Sequence, residues 1–447
     1  MPRKKTKRAG RAKGGAAARA KIRRPVAHVA TAPGPWRVRF DALKAFLGLT
    51  AVEPGWPSLP RPPLIHVVAA TVLAALICAV YGPIVWGALS GPSDYTAQVQ
   101  YAELLYQKGQ IVHPHFLYQA IVAALYGTGL IPTFRMAGLI AVLIFYALMA
   151  VLMYGLLFRA LHEDTRLGRA PVLFAVALAV LSAQPLVRTG YQIGYFWSDT
   201  GETPTLILVK PLAVTTLVCT AWYLSKRRGV NLGLWALFFV VTVAGALSKP
   251  SFLICLVPVA TIMAIVKLAQ RKPVSAGALL VGLCLPTAAV LGWQYYQTYS
   301  GHAGLVGYRD TIIWAPLQVM RHHTTGLLRK FLLSIVFPLL VSALYWNRAR
   351  RDLTLVLAWC SFLVGSFYAY TLAEKIRFAD ANFLWSAYIT LFVLFVMSAL
   401  FWMRQLASRP LRSWFSWRDL LCCGALALHA FCGATLDWGY LKFYGYL

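Results

Sequence analysis

Apolar residues along this chain come in blocks of about twenty, each closed by a short cluster of charged or helix-breaking residues. The first block covers residues 64–89 and runs into Gly91-Pro92. Ten more follow, at 136–158, 171–187, 205–224, 231–248, 250–266, 276–296, 331–346, 353–372, 383–402 and 420–436. Uninterrupted apolar blocks of this length are stable as bilayer helices, so the pattern predicts an all-α polytopic bundle of about eleven spans.

Between the first two blocks lies a polar stretch, from Ser93-Asp94-Tyr95 through Gly109 to His113-Pro114-His115. Within it Ala97, Tyr101, Leu104 and Leu105 repeat at the spacing of one helix face, and Gly109 is placed to end that helix. A one-sided helix directly after a spanning one is expected in the membrane–water interface, with Asp94 at its start. The run 116–131 that follows is shorter and holds Gln119, Gly127 and Gly129, so it reads either as a span or as a re-entrant segment.

Charge decides between the two. If 116–131 does not cross, the loops at 159–169, 226–228, 267–272, 348–351 and 404–418, with three, three, three, three and four cations, fall on one side. The amino-terminal arm, residues 1–62, joins them with 15 Lys and Arg against Asp41 and Glu53, which gathers 31 of the 43 cations there. The positive-inside rule makes that side cytoplasmic, so 116–131 is expected to be re-entrant or interfacial and the amino terminus cytoplasmic. The opposite, outer side then collects the loops at 91–135, 188–204, 297–326 and 373–382, with seven of the fourteen acids and five of the nine histidines. Topogenic charge is sorted to one face and reactive side chains to the other.

Composition narrows the class. A 447-residue chain with 59% apolar and 13% charged residues is too apolar to be soluble. The net charge of +29 would otherwise suggest nucleic acid, but its concentration in the arm and the basic loops assigns it to topology and anionic lipid, with no nucleic-acid partner. Two domains result: a basic, largely disordered arm at 1–62 and a transmembrane domain at 63–447. No apolar stretch follows the basic start until Leu64, so a cleavable signal peptide is not expected. All eight cysteines lie inside apolar runs without zinc spacing and read as small core residues.

The layout resembles the GT-C superfamily of polytopic membrane glycosyltransferases. The resemblance rests on Asp94 just past the first spanning helix, the interfacial helix after it, the outer loops facing the same site, and the loop before a late helix, Glu374-Lys375-Ile376-Arg377-Phe378-Ala379-Asp380-Ala381-Asn382-Phe383-Leu384-Trp385. It covers roughly residues 64–436, without the paired acidic motif, since Asp94 is followed by Tyr95 and the nearest acid is Glu103. Membership would imply an enzyme of the bacterial inner membrane. Such an enzyme moves a sugar from a polyprenyl-phosphate donor to a glycan, lipid or protein acceptor hydroxyl on the outer face, with no required cofactor.

That reaction needs a base for the acceptor proton and cations for the leaving phosphate. Asp94 suits the base, or is a helix N-cap. Arg377 suits a bidentate phosphate contact, with Glu374 orienting it or competing for it, or the two form a surface ion pair. Lys210 and Lys249 interrupt apolar runs, where an ionisable group is costly; each is substrate-binding or snorkels to the interface. His113 and His115 suit phosphate or sugar contacts or proton transfer, and a divalent metal there would lack a third ligand. Glu202 is a further substrate-binding candidate, Asp199 and Asp310 are secondary bases, and His322-His323 read as solvated loop residues. Two other functions fit the same pattern: a transporter or flippase of lipid-linked saccharides, and a surface-polysaccharide polymerase or ligase.

Overall fold

The computed structural model describes residues 62–161, 169–184, 203–225, 232–299, 311–409 and 416–446. The chain divides into two units, Met1–Ala42 and Leu43–Leu447, and the architecture below is that of the second.

In chain order the helices are α1 (Leu64–Ala88), α2 (Asp94–Lys108), α3 (Leu117–Gly127), α4 (Phe134–Ala160), α5 (Ala170–Leu181), α6 (Pro204–Ser225), α7 (Leu232–Ser248) and α8 (Leu253–Ala269). Then come α9 (Ala276–Leu279), a π-helical turn at Leu280–Cys284, α10 (Leu285–Tyr299), α11 (Gln318–His323), α12 (Leu327–Ser334), α13 (Val336–Leu344), α14 (Trp346–Ala349), α15 (Leu353–Thr371), α16 (Leu384–Ala407) and α17 (Trp417–Phe443). Two three-residue strands, β1 (Ile312–Trp314) and β2 (Leu372–Glu374), pair antiparallel with Ile312 opposite Glu374. Among the described residues seven helices are long and apolar enough to cross a membrane, and eight if the bent pair α12–α13 is one span. The chain is an all-α, multi-pass membrane protein.

Hydrocarbon surroundings explain which faces are covered. α6 and α16 are apolar and buried nearly all round, whereas α1 and α17 bury one face and leave Leu64, Val68, Val72, Leu428 and Phe431 outward. Outward apolar side chains cost nothing against lipid, so helix association depends on close packing. Two glycines carry it. A Cβ on Gly365 of α15 would lie 2.6 Å from the Ser386 carbonyl oxygen of α16, and one on Gly433 of α17 would lie 1.6 Å from the Ser182 carbonyl oxygen. Hydroxyls inside the bundle return to the backbone one turn earlier, as Thr216, Thr220 and Thr242 do at 2.7–2.8 Å. All eight cysteines are free.

α1 and α4 run antiparallel. His66 meets Tyr154 at 2.9 Å near one end, the Cys78 thiol reaches the Leu143 carbonyl at 3.5 Å, and Leu89 approaches Gly138 near the other. The polar stretch between them therefore leaves and rejoins the bundle at a single end. Its α2 begins at Asp94 and stops at Gly109, whose φ of 64° is the left-handed value that glycine takes most easily. The buried face of α2 differs from the expected stripe. Tyr95 and Ala102 are buried, while Ala97, Tyr101, Leu104 and Leu105 are half-buried. α2 turns this way because Val99 and Tyr118 close over the bare Cα of Gly138, which makes the packing partner rather than the strongest apolar periodicity choose the face.

The close approaches set opposite signs for two like substitutions. Gly365→Ala should lower the unfolding temperature of the detergent-solubilised protein, at about 1–3 kcal/mol, because a carbonyl oxygen must move. Gly155→Ala, in a helix interior with open space around it, should be neutral or stabilise by up to about 1 kcal/mol. Equal shifts in the two variants would contradict the packing role of Gly365.

Candidate functional site

The polar end of the bundle is built from segments far apart in sequence. Where the chain leaves α1, Ser93 takes an extended conformation and its hydroxyl oxygen accepts from the Thr96 amide at 3.3 Å while donating to the Ala88 carbonyl at 2.5 Å. Ser93 is thus the N-cap of α2, and Asp94 is its first helical residue with an exposed side chain. The expectation that Asp94 itself caps the helix is overturned, because the cap position is already filled. Its carboxylate stays available beside the positive end of the helix dipole.

The His113-Pro114-His115 loop is pinned from below. Gln294 of α10 donates through Nε2 to the Pro114 carbonyl at 3.1 Å and to the Ala246 carbonyl of α7 at 2.8 Å, and Trp293 meets the Phe116 ring edge-on at 5.9 Å. His113 packs against Tyr101 at 4.9 Å. Burial lowers the pKa of His113, the charge of Asp94 opposes this, and that of Arg377 reinforces it. His115 is pushed down to about 3, first by burial and then by the positive charge of Lys249, His113 and Arg377. It is therefore neutral at physiological pH, and its Nδ1 is sealed from solvent without a hydrogen-bond partner. Asp94 also acts electrostatically on Tyr118, another buried side chain whose hydroxyl has no described hydrogen-bond partner.

The cations arrive from two other directions. Lys249 follows α7 immediately, and its ammonium sits 4.1 Å from the Trp385 ring centroid at the start of α16. A cation over an indole face is partly compensated for lost water. Glu374, on β2 and 7% exposed, receives Arg377 Nη2 on one carboxylate oxygen at 2.8 Å and Asn382 Nδ2 on the other at 2.5 Å. Glu374 thus orients Arg377, and the β1–β2 pairing fixes Glu374 in turn.

Asp94, His113, His115, Lys249, Arg377 and Glu374 therefore share one end of the bundle, the first five linked by mutual electrostatics. Lys210 is placed apart from them: its ammonium lies 4.9 Å from the Phe392 ring centroid, two turns along α16 from Trp385, and it acts on the buried Asp437 of α17. Glu202, Asp199, Asp310 and His302 lie outside the described residues. His322 and His323 form the end of the short helix α11 rather than a solvated loop, with His322 edge-on to Phe378 at 6.1 Å. Among the described residues no group of three His, Cys, Asp or Glu side chains could hold a metal ion.

Two contributors escaped the sequence reading, Gln294 and Asp437, while Asn382 and Trp385 lay in the late-loop motif without an assigned role. A glutamine inside an apolar block was a visible signal for the first. Asp437 was missed because α17 runs on to Phe443, past the last apolar block. No family model, curated protein or solved structure matches the chain.

Two outcomes follow. Gln294→Leu removes the donor shared by two buried carbonyls and should lower stability by about 1–3 kcal/mol, with faster amide exchange at 113–116; unchanged exchange would remove Gln294 as the anchor. His115 has its pKa depressed in the folded state, so the unfolded chain takes up the proton first, as pH falls below about 6.5. Stability contributed by the neutral ring is full above that pH and declines from there towards about 3. The unfolding temperature should fall between pH 7.5 and 5, and by less in His115→Gln.

Proposed function

We propose that the chain is an integral membrane glycosyltransferase of GT-C type, transferring a sugar from a polyprenyl-phosphate donor to an acceptor hydroxyl. The observation that carries this reading is the gathering of one exposed carboxylate, two histidines and two cations at a single end of an apolar bundle. A lipid-borne substrate and a water-borne one can meet at such a place.

The topology belongs to the same reading. Eleven segments cross, namely α1, α4, α5, α6, α7, α8, α9 with α10, α12 with α13, α15, α16 and α17, while α2 lies in the interface and α3 is re-entrant. α3, with 11 residues, is about as short as α5 with 12, so what supports its place is the sorting of the basic loops to one side when it does not cross. The amino terminus is cytoplasmic, the membrane is a bacterial inner membrane, and the site faces outward.

In the reaction Asp94 accepts the acceptor hydroxyl proton as that oxygen attacks the sugar's anomeric carbon from the face opposite the phosphate. The bond from that carbon to the phosphate oxygen breaks, the configuration inverts, and the electron pair leaves with the phosphate. Lys249 and Arg377 hold the charge that grows there. Neutral His115 offers a ring N–H or lone pair without adding charge, and His113 feels the charges of both Asp94 and Arg377.

A second reading is favoured by the electrostatic coupling of Lys210 to the buried Asp437, since ionisable groups deep in a bundle are a feature of transport pathways. In that reading lipid-linked saccharide crosses the membrane and no glycosidic bond forms.

Transfer of labelled sugar from a panel of polyprenyl-phosphate donors separates the two. Membranes with the wild-type chain should transfer; Asp94→Asn should lose about 10²–10⁴-fold in rate at matched protein level, and Lys249→Gln or Arg377→Gln about 10²-fold. An Asp94→Asn rate equal to wild type would sink the base assignment. No transfer with any donor, together with lipid-linked sugar held on one leaflet when the protein is missing, would establish the transport reading instead.

A further inference from the structure

At the end of the bundle away from Asp94, the turn after α13, Arg409 and Arg418 line an open pocket of about 450 Å³. Tyr345, Trp346, Asn347, Arg348, Arg409 and Arg418 are in its wall. That volume is in the range small ligands occupy.

The cationic wall is held in place. Asp419, 2% exposed, accepts from the Tyr345 hydroxyl at 2.5 Å, Arg409 Nη2 at 2.9 Å and Trp402 Nε1 at 3.1 Å, and the Ser416 hydroxyl donates to its other oxygen. Arg409 Nε also donates to the Gln405 carbonyl at 3.1 Å, and Arg348 Nη1 to the Gln405 side-chain oxygen at 2.7 Å. Asp419 is thereby fully occupied. Neither Arg348 nor Arg418 makes an ion pair with a described carboxylate, so three guanidinium groups face the cavity against one carboxylate.

We propose that this cavity binds the phosphodiester of an anionic phospholipid in the leaflet at that end. Guanidinium groups pair with phosphate oxygens two at a time, which suits an arginine cluster to phosphate better than to a carboxylate or halide. The flanks identify a lipid rather than a soluble anion. Trp346, in the wall, and Trp417, under Arg418, are 60% and 61% exposed, and in the next turn of α17 Leu420 and Leu421 are 56% and 48% exposed. Tryptophan at head-group height with outward leucine beyond it is the profile of a bilayer edge. Basic pockets between spanning helices take lipid head groups in this way. The inference does not depend on sugar transfer, which belongs to the opposite end.

The test uses the purified full-length chain in neutral detergent, titrated with phosphatidylglycerol, phosphatidylcholine or inorganic phosphate and read by native mass spectrometry. Three proteins are compared: wild type, the double variant Arg348→Gln/Arg418→Gln, and Asn347→Glu, which places a negative charge at an exposed position of the wall. Wild type should retain phosphatidylglycerol over phosphatidylcholine by about tenfold or more, and both variants should lose most of that preference. The proposal is overturned if the variants keep it, if wild type does not distinguish the two lipids, or if inorganic phosphate displaces phosphatidylglycerol at equal concentration, which would make a free anion the ligand. Should the arginine variant fail to fold, Asn347→Glu alone decides.

Discussion

Hydrocarbon offers no hydrogen bonds, so a polar group placed within the bundle is stabilised when it finds a partner on another part of the same chain. His66 has the Tyr154 hydroxyl, His429 the Gln184 carbonyl at 2.6 Å, Asp437 the Tyr81 hydroxyl at 3.0 Å, and the buried threonines their own helix backbone. Each partnership ties two helices, or two turns of one helix, at a fixed height. Close glycine contacts such as Gly365 with Ser386 supply the packing that apolar side chains, indifferent between lipid and protein, do not.

The same constraint shapes the two polar ends differently. At the Asp94 end, charges meet without cancelling. Glu374 accepts from Arg377 and Asn382, Lys249 rests on an indole, and His115 is kept neutral, while the Asp94 side chain is exposed. At the Arg409 end, Asp419 gathers four donors and acts as a clamp. One arrangement is suited to a reaction and the other to holding a head group.

Gln294 shows how spanning helices control the site. It reaches from within α10 to two carbonyls on different segments, so the His-Pro-His loop inherits its height from α7 and α10 rather than from its own seven residues between Gly109 and Leu117. A loop held this way keeps His113 and His115 in register with Lys249, which closes α7.

The sequence by itself determined what depends on local chemistry: the apolar blocks that must be helices, the glycine that ends α2, and the sorting of reactive side chains into a few short polar stretches, of which those at 94–115, 249 and 374–377 share one end of the described bundle. Bilayer thickness and helix propensity act along the chain and can be read along it. It did not determine which face α2 buries, that Ser93 rather than Asp94 caps it, that Lys210 faces Asp437 away from Lys249, or that Arg409 and Asp419 join across the turn after α16. Those outcomes are decided by particular contacts, from a few residues apart for the Ser93 cap to more than two hundred for Lys210 and Asp437. No periodicity carries such information, because the packing partner is chosen only when the helices assemble.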